Sequence, residues 1–119
     1  VSYIVQRGAA AVFTPEGRRQ TDATLNIYRD NARVLSEALT QAGVAFTGGR
    51  NSPYLWMTCP GGQPSWDFFD DLLAQAAVVG TPGAGFGACG EGYFRLTAFG
   101  SPAHTQEAAE RLLQFFQAR

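Results

Sequence analysis

The chain has no lysine, because all nine of its basic residues are arginine. A Walker-type phosphate loop needs a lysine, and an enzyme that holds a carbonyl compound as a Schiff base needs a lysine amine. These 119 residues therefore cannot complete either chemistry by themselves.

Cysteine is also scarce: Cys59 and Cys89 are the only two, and neither stands in a C-x-x-C or zinc-ligand spacing. We expect free thiols and no metal site, since two cysteines without secretory signs are more often unpaired. No apolar run reaches the length of a membrane span, and the first residues lack the ordered regions of a signal peptide. The expected location is the cytoplasm.

Charge of either sign is limited, with a net charge of -1, 16% charged residues and 45% hydrophobic residues. This balance argues against disorder and gives no electrostatic reason to expect nucleic acid or a membrane as a partner. The length favours one globular domain, which is short for a complete enzyme with a cofactor site.

A long helix is predicted from about Thr14 to Ala42. Thr14 is placed as its N-cap and Pro15 at its first position, and Gly43 is expected to end it in the left-handed conformation. At about 1.5 Å per residue the helix would be roughly 40 Å long, which exceeds the diameter of a compact domain of this size. A helix of that length usually connects its domain to another part of a protein.

Three segments have the composition of strands: "VAFT", "YLWMT" and "YFRLTAF". The first two are joined by "GGRNSP" and are expected to pair antiparallel. Ser65 is expected to cap one further helix, and Ser101 with Pro102 the last one. The predicted apolar faces are Phe69, Leu72, Leu73 and Ala76 in the former, and Ala108, Ala109, Leu112, Leu113 and Phe116 in the latter. The expected architecture is an α/β (α+β) sandwich with a small mixed or antiparallel sheet of about three or four strands, covered by helices on one face.

Arg95 is the most informative residue of the predicted strands. Strand side chains alternate, so Phe94 and Leu96 should face the core while Arg95 faces the other side with Tyr93 and Thr97. A guanidinium on such a face can bind a ligand carboxylate in a bidentate fork, or it can form a structural ion pair or lie on an exposed edge. The pattern alone leaves these readings open.

The glycine-rich stretch "GTPGAGFGACGEG" does not predict a nucleotide site. It can be aligned with a dinucleotide fingerprint through Gly83, Gly85 and Ala88, but it leads into a strand and not into a helix. We expect an irregular segment whose backbone approaches another group closely. His104, the only histidine, falls in the first turn of the last helix, where an exposed or capping role is expected.

Taken together, "TPEG", "GGRNSPYLW", "SWDFFDDLL" and "TPGAGFG" followed by "GEGYFRLTAFG" resemble the carboxyl-terminal third of fold-type I aminotransferases that depend on pyridoxal phosphate. Within that family the motifs are most similar to enzymes that form diaminopimelate in lysine biosynthesis. The resemblance implies that residues 1–43 are the end of the large domain with the connecting helix, and that residues 44–119 are the small domain.

The same resemblance implies roles for individual residues. Arg95 stands in the "FRL" motif, whose arginine binds the α-carboxylate of the substrate. As possible near-site residues, Asn51 matches a recurrent family motif, Gly85 belongs to the glycine loop beside the active-site entrance, and Tyr3 lies close to a segment that approaches the neighbouring subunit's site in the family dimer. The Schiff-base lysine and the cofactor-binding residues of the family lie upstream of this sequence. A homodimer that acts on an amino acid and a 2-oxo acid is therefore implied, with the cofactor not held by this chain alone. The alternative is a non-catalytic module that binds a small carboxylate or serves in dimerisation.

Overall fold

A computed structural model describes residues 1–119, which form four helices and four strands. In chain order these are α1 (Tyr3–Ala11), α2 (Pro15–Gln41), β1 (Phe46–Gly48), β2 (Tyr54–Thr58), α3 (Ser65–Ala76), β3 (Thr81–Pro82), β4 (Tyr93–Thr97) and α4 (Pro102–Gln117). Short 3-10 turns occupy Pro60–Gly62, Gly83–Phe86 and Ala88–Gly90.

The long helix α2 is confirmed together with both of its predicted ends. The Thr14 hydroxyl accepts a hydrogen bond from the Gly17 N–H at 3.1 Å, and Gly43 adopts a φ of 71° just beyond the helix. Burial is confined to the second half of the helix, where Leu35 and Leu39 lie in the core. The first half is exposed, and the molecule is accordingly elongated, at 52 × 29 × 22 Å.

The sheet has the order β1-β2-β4-β3 and every pair of neighbours is antiparallel. Of the two predicted alternatives, a mixed or an antiparallel sheet, the antiparallel one is therefore correct. β4 is central because it pairs with β2 on one side and with β3 on the other. All three long helices pack against the same face of this sheet, as predicted, and they share one hydrophobic cluster with its inward side chains. That cluster includes Leu35, Leu39, Leu55, Met57, Phe68, Leu72, Phe94, Leu96, Leu112 and Phe115.

The predicted apolar faces of α3 and α4 were partly wrong. In α3 the buried residues are Ser65, Phe68, Leu72 and Ala76, whereas Phe69 is only half-buried and Leu73 is 44% exposed. In α4 the buried residues are Thr105, Ala109, Leu112 and Phe115, while Ala108, Leu113 and Phe116 lie at the margin. The rings of Phe94 and Phe115 both pack against Phe68, at 4.9 and 6.0 Å between centroids, and these contacts set the rotation of the two helices.

The helix α1 was not predicted, and none of its residues is buried. Because it adds nothing to the core, the apolar composition of the first residues gave no period from which to infer it. No helix of the protein combines the length and the apolar character that a membrane crossing needs.

Candidate functional site

Arg95 lies in the middle of β4, on the face of the sheet that no helix covers. The side chains of the strand alternate between exposed and buried, with Phe94 at 0% and Leu96 at 4% exposure, and Arg95 is half-buried on the opposite side. The predicted direction of the guanidinium is therefore confirmed. Its strand neighbours are Trp56 on β2 and Thr81 on β3.

The guanidinium of Arg95 contacts two aromatic rings and no carboxylate. Its Cζ lies 4.4 Å from the centroid of the Tyr54 ring and 4.5 Å from that of Phe86. The structure contains four salt bridges, all of them made by other arginines: Arg19, Arg33, Arg111 and Arg119. Within these residues Arg95 therefore forms no ion pair, and its N–H groups have no hydrogen-bond partner.

Further aromatic side chains surround this pair of rings on the same face. Trp56 stacks on Tyr93 at 5.6 Å and meets the Phe86 ring edge-on at 5.5 Å. On the other side, Phe99 packs edge-on against Tyr54 at 5.7 Å. Arg95 is thus the one cation within a half-exposed aromatic surface, and such a surface is typical of a face that contacts a ligand or another protein part.

The glycine-rich segment determines where Phe86 lies. A side chain at Gly83 would overlap the carbonyl oxygen of Gly90, so the close approach expected from the sequence is an approach of the segment to itself. The Ala84 N–H donates to the Ser65 hydroxyl at 3.2 Å, which anchors the turn on α3. Ser65 therefore does not cap α3 as predicted, because its hydroxyl accepts from this turn instead of from its own helix.

Glu91 completes this anchor at the other end of the glycine-rich segment. Its carboxylate accepts hydrogen bonds from the Ser65 N–H at 2.6 Å and from the Gly92 N–H at 2.9 Å. These backbone donors, the first of them above all, lower the pKa of Glu91. The turn that carries Phe86 is thereby held by one carboxylate and one hydroxyl.

Asn51 lines a groove next to the aromatic surface and does not lie beside Arg95 itself. The groove has a volume of about 480 Å³ and runs between the middle of α2 and the loop before β2, with Tyr28, Arg29, Pro53 and Phe99 among its walls. Phe99 joins the two regions, since it contacts Tyr28 at 4.8 Å and Tyr54 at 5.7 Å.

The other two predicted near-site residues are less closely connected to Arg95. Gly85 directly precedes Phe86 in the exposed part of the turn. Tyr3 lies on α1, is 73% exposed, and its side chain makes no hydrogen bond or ring contact with the sheet. His104 is exposed, and its backbone N–H is capped by the Ser101 hydroxyl, as its predicted place in the first turn implies.

Three residues of this region were missed by sequence reasoning. Tyr54 could have been found, since it alternates with Leu55 and so shares a face with Trp56, but Phe86 lies in a segment without any period. Asn31 is buried, and its Nδ2 donates to the carbonyl oxygens of Ala98 and Gly100, just beyond β4. Its only signal was its spacing of four residues before Leu35 on the apolar stripe of α2.

Comparisons with known proteins agree with this fold. The sequence profile of the family described as aminotransferase class I and II matches residues 1–112. The chain is 54% identical over 111 residues to an LL-diaminopimelate aminotransferase of Phocaeicola vulgatus, and this covers 93% of the chain but 27% of that relative.

Solved structures give the same result. An L,L-diaminopimelate aminotransferase from Chlamydomonas reinhardtii is 40% identical with a TM-score of 0.90, over 96% of this chain and 28% of that one. An aromatic aminotransferase from Pyrococcus horikoshii, at 23% identity and a TM-score of 0.84 over 93% of this chain and 30% of that one, shows the shared fold alone. The chain thus spans less than a third of the length of these relatives. It belongs to the class I and II aminotransferase family.

Proposed function

We propose that this chain is the carboxyl-terminal part of an aminotransferase in which Arg95 binds the α-carboxylate of the substrate. The observation that carries the proposal is a guanidinium with no carboxylate partner, half-buried between two rings on the uncovered face of the sheet. Arginine binds carboxylates through two parallel N–H···O bonds, so a free guanidinium in this setting suits an amino-acid substrate.

The proposed reaction converts tetrahydrodipicolinate and L-glutamate into LL-2,6-diaminopimelate and 2-oxoglutarate, in lysine biosynthesis. Support comes from the identity of 54% and 40% to two enzymes named for diaminopimelate. The side chains that select this substrate over aromatic amino acids or alanine would lie largely outside these residues. Titrating the holoenzyme with diaminopimelate against those other donors tests the choice.

The cofactor proposed for the whole enzyme is pyridoxal phosphate, which supplies the electron sink for amino transfer. The residues present here do not fit that group, because a Schiff base needs a lysine amine and the chain has no lysine. We therefore expect no turnover from the 119 residues alone. Measurable transamination by this chain alone would contradict the proposal.

The domain division also belongs to this proposal: residues 1–43 end the large domain and form the connecting helix, and residues 44–119 form the small domain. The exposed first half of α2 supports a connecting role, although its second half packs in the core. We further propose a homodimer, in line with the exposed apolar side chains of α1. The cytoplasm is the proposed location, since both thiols are free.

Substitution of Arg95 tests the carboxylate role directly. In the holoenzyme, Arg95→Ala removes two charge-assisted hydrogen bonds, so we expect kcat/KM for L-glutamate to fall by about 100-fold or more. Arg33→Ala is the matched control, because Arg33 is ion-paired only to Glu37 on the exposed surface of α2. An Arg95→Ala enzyme with unaltered amino-acid affinity and turnover would refute the role.

A further inference from the structure

The two rings against Arg95 belong to different elements of the fold. Tyr54 belongs to β2, which flanks β4 on one side, and Phe86 follows β3, which flanks it on the other. The centroids of both rings lie within 4.5 Å of the guanidinium carbon. The N–H groups of the guanidinium make no hydrogen bond or ion pair within the chain. The position of this cation is thus set by aromatic rings instead of by polar partners.

Aromatic contacts suit a guanidinium that must remain ready for an anion. A ring attracts the cation through the negative charge of its face, but it does not accept the in-plane N–H bonds that a carboxylate would use. An internal carboxylate at the same place would occupy those donors. The rings also reduce the rotamer freedom of a long side chain before any ligand arrives, which lowers the entropy lost on binding.

We propose that Tyr54 and Phe86 are positioning residues that hold the Arg95 guanidinium in its carboxylate-binding place. This inference rests on the proposed role of Arg95 and assigns a role to two residues that the sequence did not single out. The two rings act through Arg95 and do not themselves bind the substrate carboxylate.

Each ring is itself held by contacts with other residues. Phe99 packs edge-on against Tyr54 and is in turn packed on Tyr28 of α2. Trp56 packs against Phe86, whose turn is anchored by the hydrogen bond to Ser65. The guanidinium therefore lies between two rings that are each held by further contacts, and such support is what precise positioning needs.

The experiment uses the holoenzyme and two leucine variants, Tyr54→Leu and Phe86→Leu. The dissociation constant of glutarate, an unreactive dicarboxylate, is measured by titration calorimetry, and KM and kcat are measured for L-glutamate. Loss of one cation–π contact should weaken glutarate binding and raise KM by about 3- to 10-fold, with kcat changed less than about twofold.

Two controls separate positioning from general damage. Tyr54→Phe keeps the ring and loses only a hydroxyl that makes no hydrogen bond, so it should bind glutarate like the wild type. Trp66→Leu removes another exposed ring, on α3, whose only ring contact is Phe69, and it should also leave binding unchanged. Tyr54 and Phe86 are 37% and 50% exposed, and either variant carries the test if the other does not fold.

A double-mutant cycle identifies the residue through which the rings act. In an Arg95→Ala background, Tyr54→Leu and Phe86→Leu should cause no further loss of glutarate affinity. Equal losses with and without Arg95 would overturn the inference, as would leucine variants that bind within about twofold of wild type while Arg95→Ala binds weakly. If Arg95→Ala itself bound glutarate normally, the proposed function would fall, and this inference with it.

Discussion

Replacement of Asn31 by alanine should destabilise the protein more than any other polar truncation on α2. Asn31 is 2% exposed, and its Nδ2 donates to the carbonyl oxygens of Ala98 at 3.0 Å and of Gly100 at 2.8 Å. These acceptors lie 67 and 69 residues further along the chain, at the exit from β4. A single amide therefore fastens the long helix to the end of the strand that carries Arg95.

The expected cost follows from these two bonds. Each contributes about 1 kcal/mol net, and the buried Ala98 carbonyl left without a donor adds about 1 kcal/mol, so the loss should be about 3 kcal/mol. With a urea slope of about 1–3 kcal/mol per molar, the unfolding midpoint should fall by roughly 1–3 M. Asn31→Asp should cost at least as much, because an ionised carboxylate would face two carbonyl oxygens and could donate to neither.

Urea unfolding followed by circular dichroism measures both effects, and Asn26→Ala is the matched control. Asn26 lies on the exposed half of the same helix, where its side chain only accepts from Arg29, so its truncation should change stability by less than about 0.5 kcal/mol. If Asn31→Ala unfolded at the same urea concentration as Asn26→Ala, the two buried bonds would not stabilise the fold as argued.

Two further predictions concern titratable groups. Backbone donors at Ser65 and Gly92 lower the pKa of Glu91 in the folded protein, so its contribution to stability is present above the ordinary value of 4.5 and is lost as the pH falls through the folded pKa. The difference in urea midpoint between wild type and Glu91→Gln should therefore shrink from pH 7 to pH 3, and a constant difference would contradict this. Burial raises the pKa of Cys59 to about 11, whereas Cys89 is exposed, so iodoacetamide at pH 8 should alkylate Cys89 first and Cys59 only after unfolding. Equal labelling rates in the folded protein would show that Cys59 is not shielded.

The features that could be predicted from the sequence are those that depend on near neighbours in the chain. The ends of α2 follow from Thr14 and Gly43, whose side-chain or backbone preferences act within one helical turn. The direction of Arg95 follows from the two-residue period of β4. Both kinds of signal need no knowledge of what packs against the element.

The errors about which residues are buried and which residue caps α3 depend on contacts between distant segments. Phe68 and Phe69 are adjacent and equally apolar, and Phe68 is the one that is buried because it packs against Phe94 and Phe115. Ser65 stands where an N-cap is expected, yet its hydroxyl accepts from Ala84 in the glycine-rich turn. Local sequence preferences indicate which residues are able to cap a helix or enter the core. The residues that pack against them in the tertiary structure determine which of these contacts form.

The candidate site also combines a local signal with contacts between distant segments. The strand pattern and the family motif single out Arg95, but a guanidinium binds a carboxylate well only if no internal carboxylate competes and its place is fixed beforehand. Under the proposed role, Tyr54 and Phe86 meet the second condition, and their rings come from β2 and from the turn after β3, which are distant in sequence. The motif therefore identifies the arginine, whereas the rings that position it in the proposed site come from the tertiary fold.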